Sequence, residues 1–414
     1  MIYSVLVKER YEDNLSYDCS ARWIIVGARQ NVAVQIKAKR QSLNLTQKEF
    51  ANALGLGSNG DRTIRRWENG ETCPSALELK QILAYATSIP FPNVMEDKAK
   101  FTFIDLFAGI GGIRLPFSEE GGRCVFSSEW DKFAKKTYCA NFGEEPQGDI
   151  TKIAASMIPD FDVLLGGFPC QPFSMAGRHL GFQDTRGTLF FEIERIIAEK
   201  RPKAFLLENV KQLVGHDHGN TFRVIRKHLD DLNYEVHAQV LRAADFGVPQ
   251  NRERIYIVGF DKSVFNGKSG FQFPEPPRTP TRVGSILEEN VAEKYVISDR
   301  LWAGHQRRKE ANRQAGKGFG FALVTPESPY TQTMQARYYK DGSEILISRG
   351  PDKNPRKLTP REAARLQGFP DSFIIPVSDT QAYKEFGNSV AVPVIRALAR
   401  QLVEVLRAHK VYGA

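Results

Sequence analysis

From residue 101 onward, short unbroken apolar runs alternate with stretches whose apolar positions recur every three or four residues. The runs are "FTFIDLF" (101–107), "GRCVFSSE" (122–129), "FDVLLGG" (161–167), "KAFLLEN" (203–209) and "RIYIVGF" (254–260). Between them lie amphipathic stretches such as "TLFFEIERIIAEK" (188–200) and "TFRVIRKHLDDL" (221–232). Near-continuous apolar strands belong to sheets covered on both faces, and intervening helices supply the crossovers. The rhythm therefore predicts an α/β fold with a doubly wound, mostly parallel sheet, whose ligands sit beyond the carboxyl ends of the strands.

Upstream the period is helical. In "LNLTQKEFANALGLG" (43–57), Thr46 and Glu49 form a capping box, and Phe50, Ala53 and Leu54 supply the apolar stripe. "DRTIRRWENG" (61–70) reads as a second helix ending at Gly70, with Arg62, Arg65 and Arg66 outward around Ile64 and Trp67. Two short helices with a glycine turn and arginines on the second suggest a helix-turn-helix; a helical docking module that touches no DNA is the alternative.

These patterns divide the chain into six segments. Residues 1–30 hold short β-like runs, "YSVLV" and "RWIIVG", without assignment; 31–90 form the helix-turn-helix unit; 91–100, rich in Pro and charge, are a linker. Residues 101–260 carry the sheet. Residues 261–355 form a smaller irregular domain with proline-rich ("FPEPPRTPTRV") and basic ("HQRRKEANR") stretches, and 356–414 return to long apolar helices that complete the main domain.

Composition narrows the class. Hydrophobic residues make up 42% and charged residues 25% of the 414, as in a globular intracellular protein, and no apolar run is long enough for a membrane span. A cytoplasmic location is expected. The net charge of +9 permits a polyanionic partner. Five cysteines, Cys19, Cys73, Cys124, Cys139 and Cys170, are scattered without a CxxC pair, so neither a disulfide framework nor a metal site is indicated. Four of them are expected to be buried small hydrophobes.

The fifth, Cys170, stands in "GGFPCQPFS" (166–174), where Pro169 and Pro172 stiffen the backbone behind a strand end. A thiolate aimed by such a loop is strong enough to add to a polarised ring carbon. "AFLLENV" ends a later strand with Glu208, an acid able to protonate a ring nitrogen while Cys170 attacks the adjacent carbon. In "QNRERIY", Arg252 and Arg254 are two apart, hence on one face of a strand, where they can donate to a carbonyl oxygen and a phosphate. In "FIDLFAGIGG" (103–112), Gly109, Gly111 and Gly112 clear room for a cofactor. Glu129 at the next strand end suits ribose hydroxyls, Trp130 offers a face to adenine, and Asp149 can accept from an exocyclic amine. A nucleoside site without a phosphate-loop lysine points to S-adenosylmethionine.

The ordered set "DLFAGIGG", "SEWD", "GDIT", "GGFPCQPFS", "RGTLFFE", "LENV", "QNRERIYIVG", "LTPREAARLQGFP" and "FGNSVAVPV", over about residues 101–410, resembles the bacterial DNA (cytosine-5)-methyltransferases of restriction–modification systems. Residues 31–90 resemble the phage-repressor class of helix-turn-helix domains, departing at "LGSNGDR", where the turn is about three residues longer than the usual short one.

The first resemblance implies that Cys170 adds to C6 of a flipped-out cytosine, Glu208 protonates N3, and Arg254 with Arg252 hold the O2 side and nearby phosphates. It implies an S-adenosylmethionine site made of Phe107, Ala108, Gly109, Ile110, Gly112, Glu129, Trp130, Asp149, Ile150, Leu189, Asn388, Ser389 and Val390. Ser174, in a mobile loop after the cysteine, would help fill the space the base vacates. Residues 261–355 would read double-stranded DNA, with a GC-rich site of CCGG or CC-any-GG kind. Functional pairing with a restriction endonuclease follows, as do a monomer on the methylation site and a dimer through the helix-turn-helix, whose Arg62, Arg65 and Arg66 would contact DNA at the protein's own promoter. An RNA cytosine-5 methyltransferase, a protein acting mainly as a transcriptional regulator, and a catalytically dead relative are the competing readings.

Overall fold

The computed structural model describes residues 19–43, 45–85, 89–168 and 189–411, with side chains throughout except at 19–28, 42 and 84. Cys170 and Ser174 lie outside the described residues. The chain divides into two compact units, Met1–Ser88 and Ile89–Ala414.

The described part of the first unit is four helices: α1 (Cys19–Ser42), α2 (Gln47–Ala53), α3 (Gly60–Glu68) and α4 (Ala76–Ala84). The Thr46–Glu49 capping box is present, and a second, Ser75 with Glu78, starts α4. Ile36, Phe50, Ala51, Ile64, Trp67 and Ile82 form the core. Gly60 allows α2 and α3 to close on each other: a Cβ there would lie 2.7 Å from that of Leu56 and 2.8 Å from that of Ala51. Arg62, Arg65 and Arg66 are exposed on α3. The connection Leu54–Asn59 is longer than the three or four residues of a tight turn, and Gly55 and Gly57 take φ near +70° within it. One reading is corrected here. "RWIIVG" is not β-like but helical, inside α1, so the 30/31 boundary cuts a helix. A short aromatic and β-branched run does not discriminate strand from helix.

In the second unit, β1 (Phe101–Leu106), β2 (Gly122–Ser128), β3 (Val163–Gly167), β4 (Ala204–Val210), β5 (Tyr234–Arg242) and β6 (Glu253–Asp261) form one sheet ordered β2-β1-β3-β4-β6-β5. β6 alone runs opposite to the other five strands. On one face, α5 (Arg114–Glu119) and α12 (Val392–Ala408) cover Phe101, Phe103, Val163, Leu165 and Leu206. On the other, α7 (Leu189–Lys200) and α8 (Asn220–Asp231) cover Ile104, Leu106, Leu164, Phe205 and Leu207. Alternate residues of each central strand thus enter opposite cores, which is why these strands read as unbroken apolar runs.

A third core joins α6 (Lys132–Phe142), α10 (Pro360–Leu366) and α11 (Asp379–Asn388) to Val283, Ile286, Val324, Met334, Tyr338 and Ile347. The irregular region, with α9 (Asp299–Gln314) and the two-residue parallel strands β7 (Leu323–Val324) and β8 (Leu346–Ile347), therefore shares its core with the sheet-bearing part. The segment read as a linker is docked. The ring of Phe91 stacks on Phe373 at 6.2 Å, its amide donates to the Asn141 carbonyl, and Asn93 donates to the carbonyl of Cys124. Of the cysteines expected to be buried, Cys124 is, Cys139 is half-buried, and Cys73 is exposed. Among the described residues, no helix is long and apolar enough to cross a membrane.

Candidate active site

Strand order reverses between β1 and β3, and the turns that follow the strands open at that edge. After β1 the backbone twists sharply: Phe107 takes φ 55°, Gly109 φ 53° and Gly111 φ 82°. A non-glycine residue held at positive φ costs on the order of 1 kcal/mol and persists only where its surroundings impose it. Gly111 is dictated by space as well, since a Cβ would lie 2.1 Å from the Phe142 ring. Gly109 faces open space, its nearest neighbour being the Phe107 carbonyl oxygen at 4.0 Å from a Cβ position. At Gly112 a Cβ would meet Ser389 Oγ at 2.8 Å and Val390 at 2.9 Å. Two motifs nearly 280 residues apart are thereby pressed together.

Glu129, at the end of β2, is 9% exposed. Its Oε2 accepts the Gly109 amide at 2.8 Å, and its Oε1 accepts those of Trp130 and Asp131, each at 2.8 Å. Burial pushes its carboxyl up, and these amides pull it back. The carboxylate therefore holds the glycine turn in place, with one lone-pair site of Oε2 left for a ligand hydroxyl. Trp130 beside it is 82% exposed, an aromatic face in solvent. Gln147 pairs with the end of β2, bringing Asp149 to the same edge. Asp149 accepts from the Thr151 amide and hydroxyl through Oδ1, which lowers its pKa. Ile150 is buried in the core and Leu189 half-buried at the start of α7, while Asn388 is exposed and Val390 buried at the end of α11.

Next along the edge, Glu208 lies near the end of β4, opposite Gly167 of β3 and Tyr256 of β6. Its Oε1 lies 3.1 Å from Nε of Arg254, and its Oε2 stands over Gly167. Burial raises the Glu208 pKa, opposed first by Arg254 and then by Arg252. Burial thus favours the protonated carboxyl, against the pull of the two guanidiniums. Asn209 donates to the Phe168 carbonyl at 2.9 Å, tying β4 to the residue two before Cys170. A cleft of about 300 Å³ opens beside Arg254, bordered by Lys211, Asn251, Thr333 and Gln335.

Arg252 is placed differently from the sequence expectation. It precedes β6, is 3% exposed, and donates to the carbonyls of Met334, Gly387 and Ser389. Arg254 alone of the two reaches Glu208.

Near this edge, two buried acids carry almost no local signature in the sequence. Glu385 of α11 is 7% exposed, accepts from the Thr137 hydroxyl at 2.9 Å, and feels the charges of Asp131 and Glu129; burial pushes its carboxyl up to about 8. Its position one turn before Asn388 was the only local signal. Asp105 of β1 is 1% exposed, and burial raises its pKa well above the ordinary range despite the nearby Arg114.

This edge suits a nucleoside-bearing cofactor: an open glycine, a carboxylate with a spare acceptor site, an exposed indole and a second carboxylate lie along neighbouring strand ends. Comparison with known proteins agrees. Residues 101–404 match the model of C-5 cytosine-specific DNA methylases, and 36–85 match a helix-turn-helix model. The type II methyltransferase M1.ScrFI of Lactococcus lactis subsp. cremoris is 64% identical over 92% of this chain and 97% of its own. M.SsoII of Shigella sonnei is 61% identical over 91% and 99%, and both matches are too long to be confined to the second unit. M.HpaII of Haemophilus parainfluenzae is 48% identical over 76% of this chain. Among solved structures, the Entamoeba histolytica methyltransferase EhMeth shares the fold, with a TM-score of 0.62 at 22% identity over 74% of this chain and 99% of its own. The chain belongs to the C-5 cytosine-specific DNA methylase family, as an S-adenosylmethionine-dependent DNA cytosine-5 methyltransferase with an N-terminal helix-turn-helix domain.

Proposed function

We propose that this enzyme methylates C5 of one cytosine in a short, GC-rich duplex site of CCGG or CC-any-GG kind, as the protective partner of a restriction endonuclease in the cytoplasm. The observation that carries the reading is the Glu208–Arg254 pair, buried at the sheet edge where β3 leads within three residues to Cys170. C6 of a stacked cytosine is out of reach, so the base is flipped out, at a cost of a few kcal/mol that pocket contacts offset.

Cys170, as thiolate, forms the S–C6 bond. The electron pair released from the C5–C6 double bond makes C5 nucleophilic while Glu208 delivers its proton to N3. Arg254 keeps the Glu208 carboxyl oriented and donates toward the O2 side. When bound, S-adenosylmethionine supplies an electrophilic methyl group to match the electron-rich C5. Water takes the C5 proton, the freed electron pair re-forms the C5–C6 double bond and expels Cys170 as thiolate, and N3 returns its proton to Glu208. Phe107, Ala108, Gly109, Ile110, Gly112, Glu129, Trp130, Asp149, Ile150, Leu189, Asn388, Ser389 and Val390 would hold the cofactor, and Ser174 would occupy the vacated space in the duplex.

Arg62, Arg65 and Arg66, exposed on α3, form the DNA-facing side of a promoter-binding unit that acts as a dimer. Relatives named type II methyltransferases, matched beyond the catalytic unit, support this placement in a restriction–modification pair. Bisulfite sequencing of DNA from cells expressing the protein is expected to show 5-methylcytosine at one short recurring sequence. Uniformly unmethylated DNA, or methyl transfer confined to RNA, would overturn the proposal.

A further inference from the structure

Three segments distant in sequence meet at the guanidinium of Arg252. Its Nη1 donates to the Met334 carbonyl at 3.1 Å, and its Nη2 to the carbonyls of Ser389 at 2.5 Å and Gly387 at 3.3 Å. Gln250, wholly buried, repeats the pattern. Its Oε1 accepts the Met334 amide at 3.0 Å, while its Nε2 donates to the Leu366 carbonyl and to Oε1 of Gln367. Gln367 in turn donates to the Phe386 carbonyl at 2.7 Å. The contact is also direct: a Cβ on Gly387 would lie 2.4 Å from the backbone nitrogen of Ala336, so the end of α11 rests against the main chain of 335–336.

The two segments so joined border different parts of the sheet edge. Ser389 presses on Gly112 of the glycine turn, whereas Thr333 and Gln335, either side of Met334, border the cleft next to Arg254. A planar guanidinium with fixed donor directions satisfies carbonyls on both segments only when they hold one mutual position. Whatever orders one segment thereby prepares the other.

We propose that Arg252 is a positioning residue that couples the cofactor turn 387–389 to the DNA-facing segment 331–335, so that S-adenosylmethionine and DNA each tighten the binding of the other. The proposal rests on the assignment of 388–390 to the cofactor made above and on the expectation that residues 261–355, which include 331–335, face DNA. Two states of one packed element, biased by both ligands, are what reciprocal coupling requires.

The test is a binding cycle on the full-length protein. Affinities for S-adenosylhomocysteine and for a duplex bearing the methylated site are measured separately and together, by calorimetry and fluorescence anisotropy. In the wild type each ligand is expected to tighten the other by about 5- to 150-fold, the ordinary range of such coupling. In Arg252→Lys, whose single ammonium cannot span the same carbonyls, the factor is expected to fall below about twofold. Both KM values then rise more than kcat falls. Should Arg252→Lys fail to fold, hydrogen exchange on the wild type provides a second reading: S-adenosylhomocysteine alone slows exchange of amides in 331–336. A folded Arg252→Lys with wild-type coupling, or a wild type that binds both ligands independently with no change in 331–336, overturns the coupling alone. A wild type that binds neither ligand overturns the site assignment together with it.

Discussion

Replacing Glu385 by Gln probes the buried acids of this site without any substrate. The carboxyl is 7% exposed, accepts from Thr137, and has Asp131, Glu129 and Lys136 within its field; burial, reinforced by the two acids and opposed by Lys136, lifts its pKa from an ordinary 4.5 to about 8. A carboxyl that holds its proton more tightly when folded contributes stability that is complete below the unfolded pKa. That contribution is lost as pH climbs through the folded value. One pKa unit corresponds to ~1.4 kcal/mol, so about 2 kcal/mol is lost through this group between about pH 6 and about pH 8. Gln keeps the shape and an acceptor for Thr137 but does not titrate. Glu385→Gln is therefore expected to gain on the wild type as pH rises, its advantage at pH 8 exceeding that at pH 6 by about 2 kcal/mol, or roughly 3 °C in Tm for a unit of this size. Thermal unfolding of both proteins followed by circular dichroism, in matched buffers across this range, measures the difference. A Tm gap that stays constant from pH 6 to pH 8 would refute the assignment of Glu385 as an acid that is protonated in the folded protein.

Other outcomes follow from the same geometry. Cys170→Ala is expected to abolish methyl transfer while DNA and S-adenosylhomocysteine binding persist, checked by tritium transfer and anisotropy. Glu208→Gln, which leaves a partner for Arg254 but no acid for N3, should lower kcat by about 10²- to 10⁴-fold with DNA affinity little changed; near-wild-type turnover would remove Glu208 from the chemistry. Alanine at Arg62, Arg65 and Arg66 together should weaken promoter binding and reduce the slope of log affinity against log salt by about three, with methylation of the recognition site unaffected. Gly111→Ala forces a Cβ into the Phe142 ring at a positive-φ position, so loss of cofactor affinity and a lower Tm are expected together.

Much of the site could be read from the chain because it is built at strand ends. "FIDLFAGIGG" declared both a buried strand and the turn after it, and Glu208 near the end of "AFLLENV" stands where the apolar run stops, beside β3. β5 escaped notice because "YEVHAQVLR" mixes polar with apolar positions, as a strand at the sheet edge with partly exposed residues does. The docking of 91–100 was also illegible, since Phe91 gains its place only from Phe373 and Phe142, far along the chain.

By itself, then, the sequence determined most strands of the sheet, the Thr46–Glu49 capping box, the glycine turn and the order of the motifs, because those depend on neighbours within a few residues. Only the tertiary structure decided the separate duties of Arg252 and Arg254. Period-two spacing would put both on one strand face, but β6 begins at Glu253, and Arg252 finds its partners at Met334, Gly387 and Ser389. Glu385 likewise owes its proton affinity to burial among Thr137, Asp131 and Glu129, on a helix that local pattern marks only as amphipathic. Such roles depend on which surfaces three shared cores bring into contact, and that is set by the burial of the whole chain rather than by any window of it.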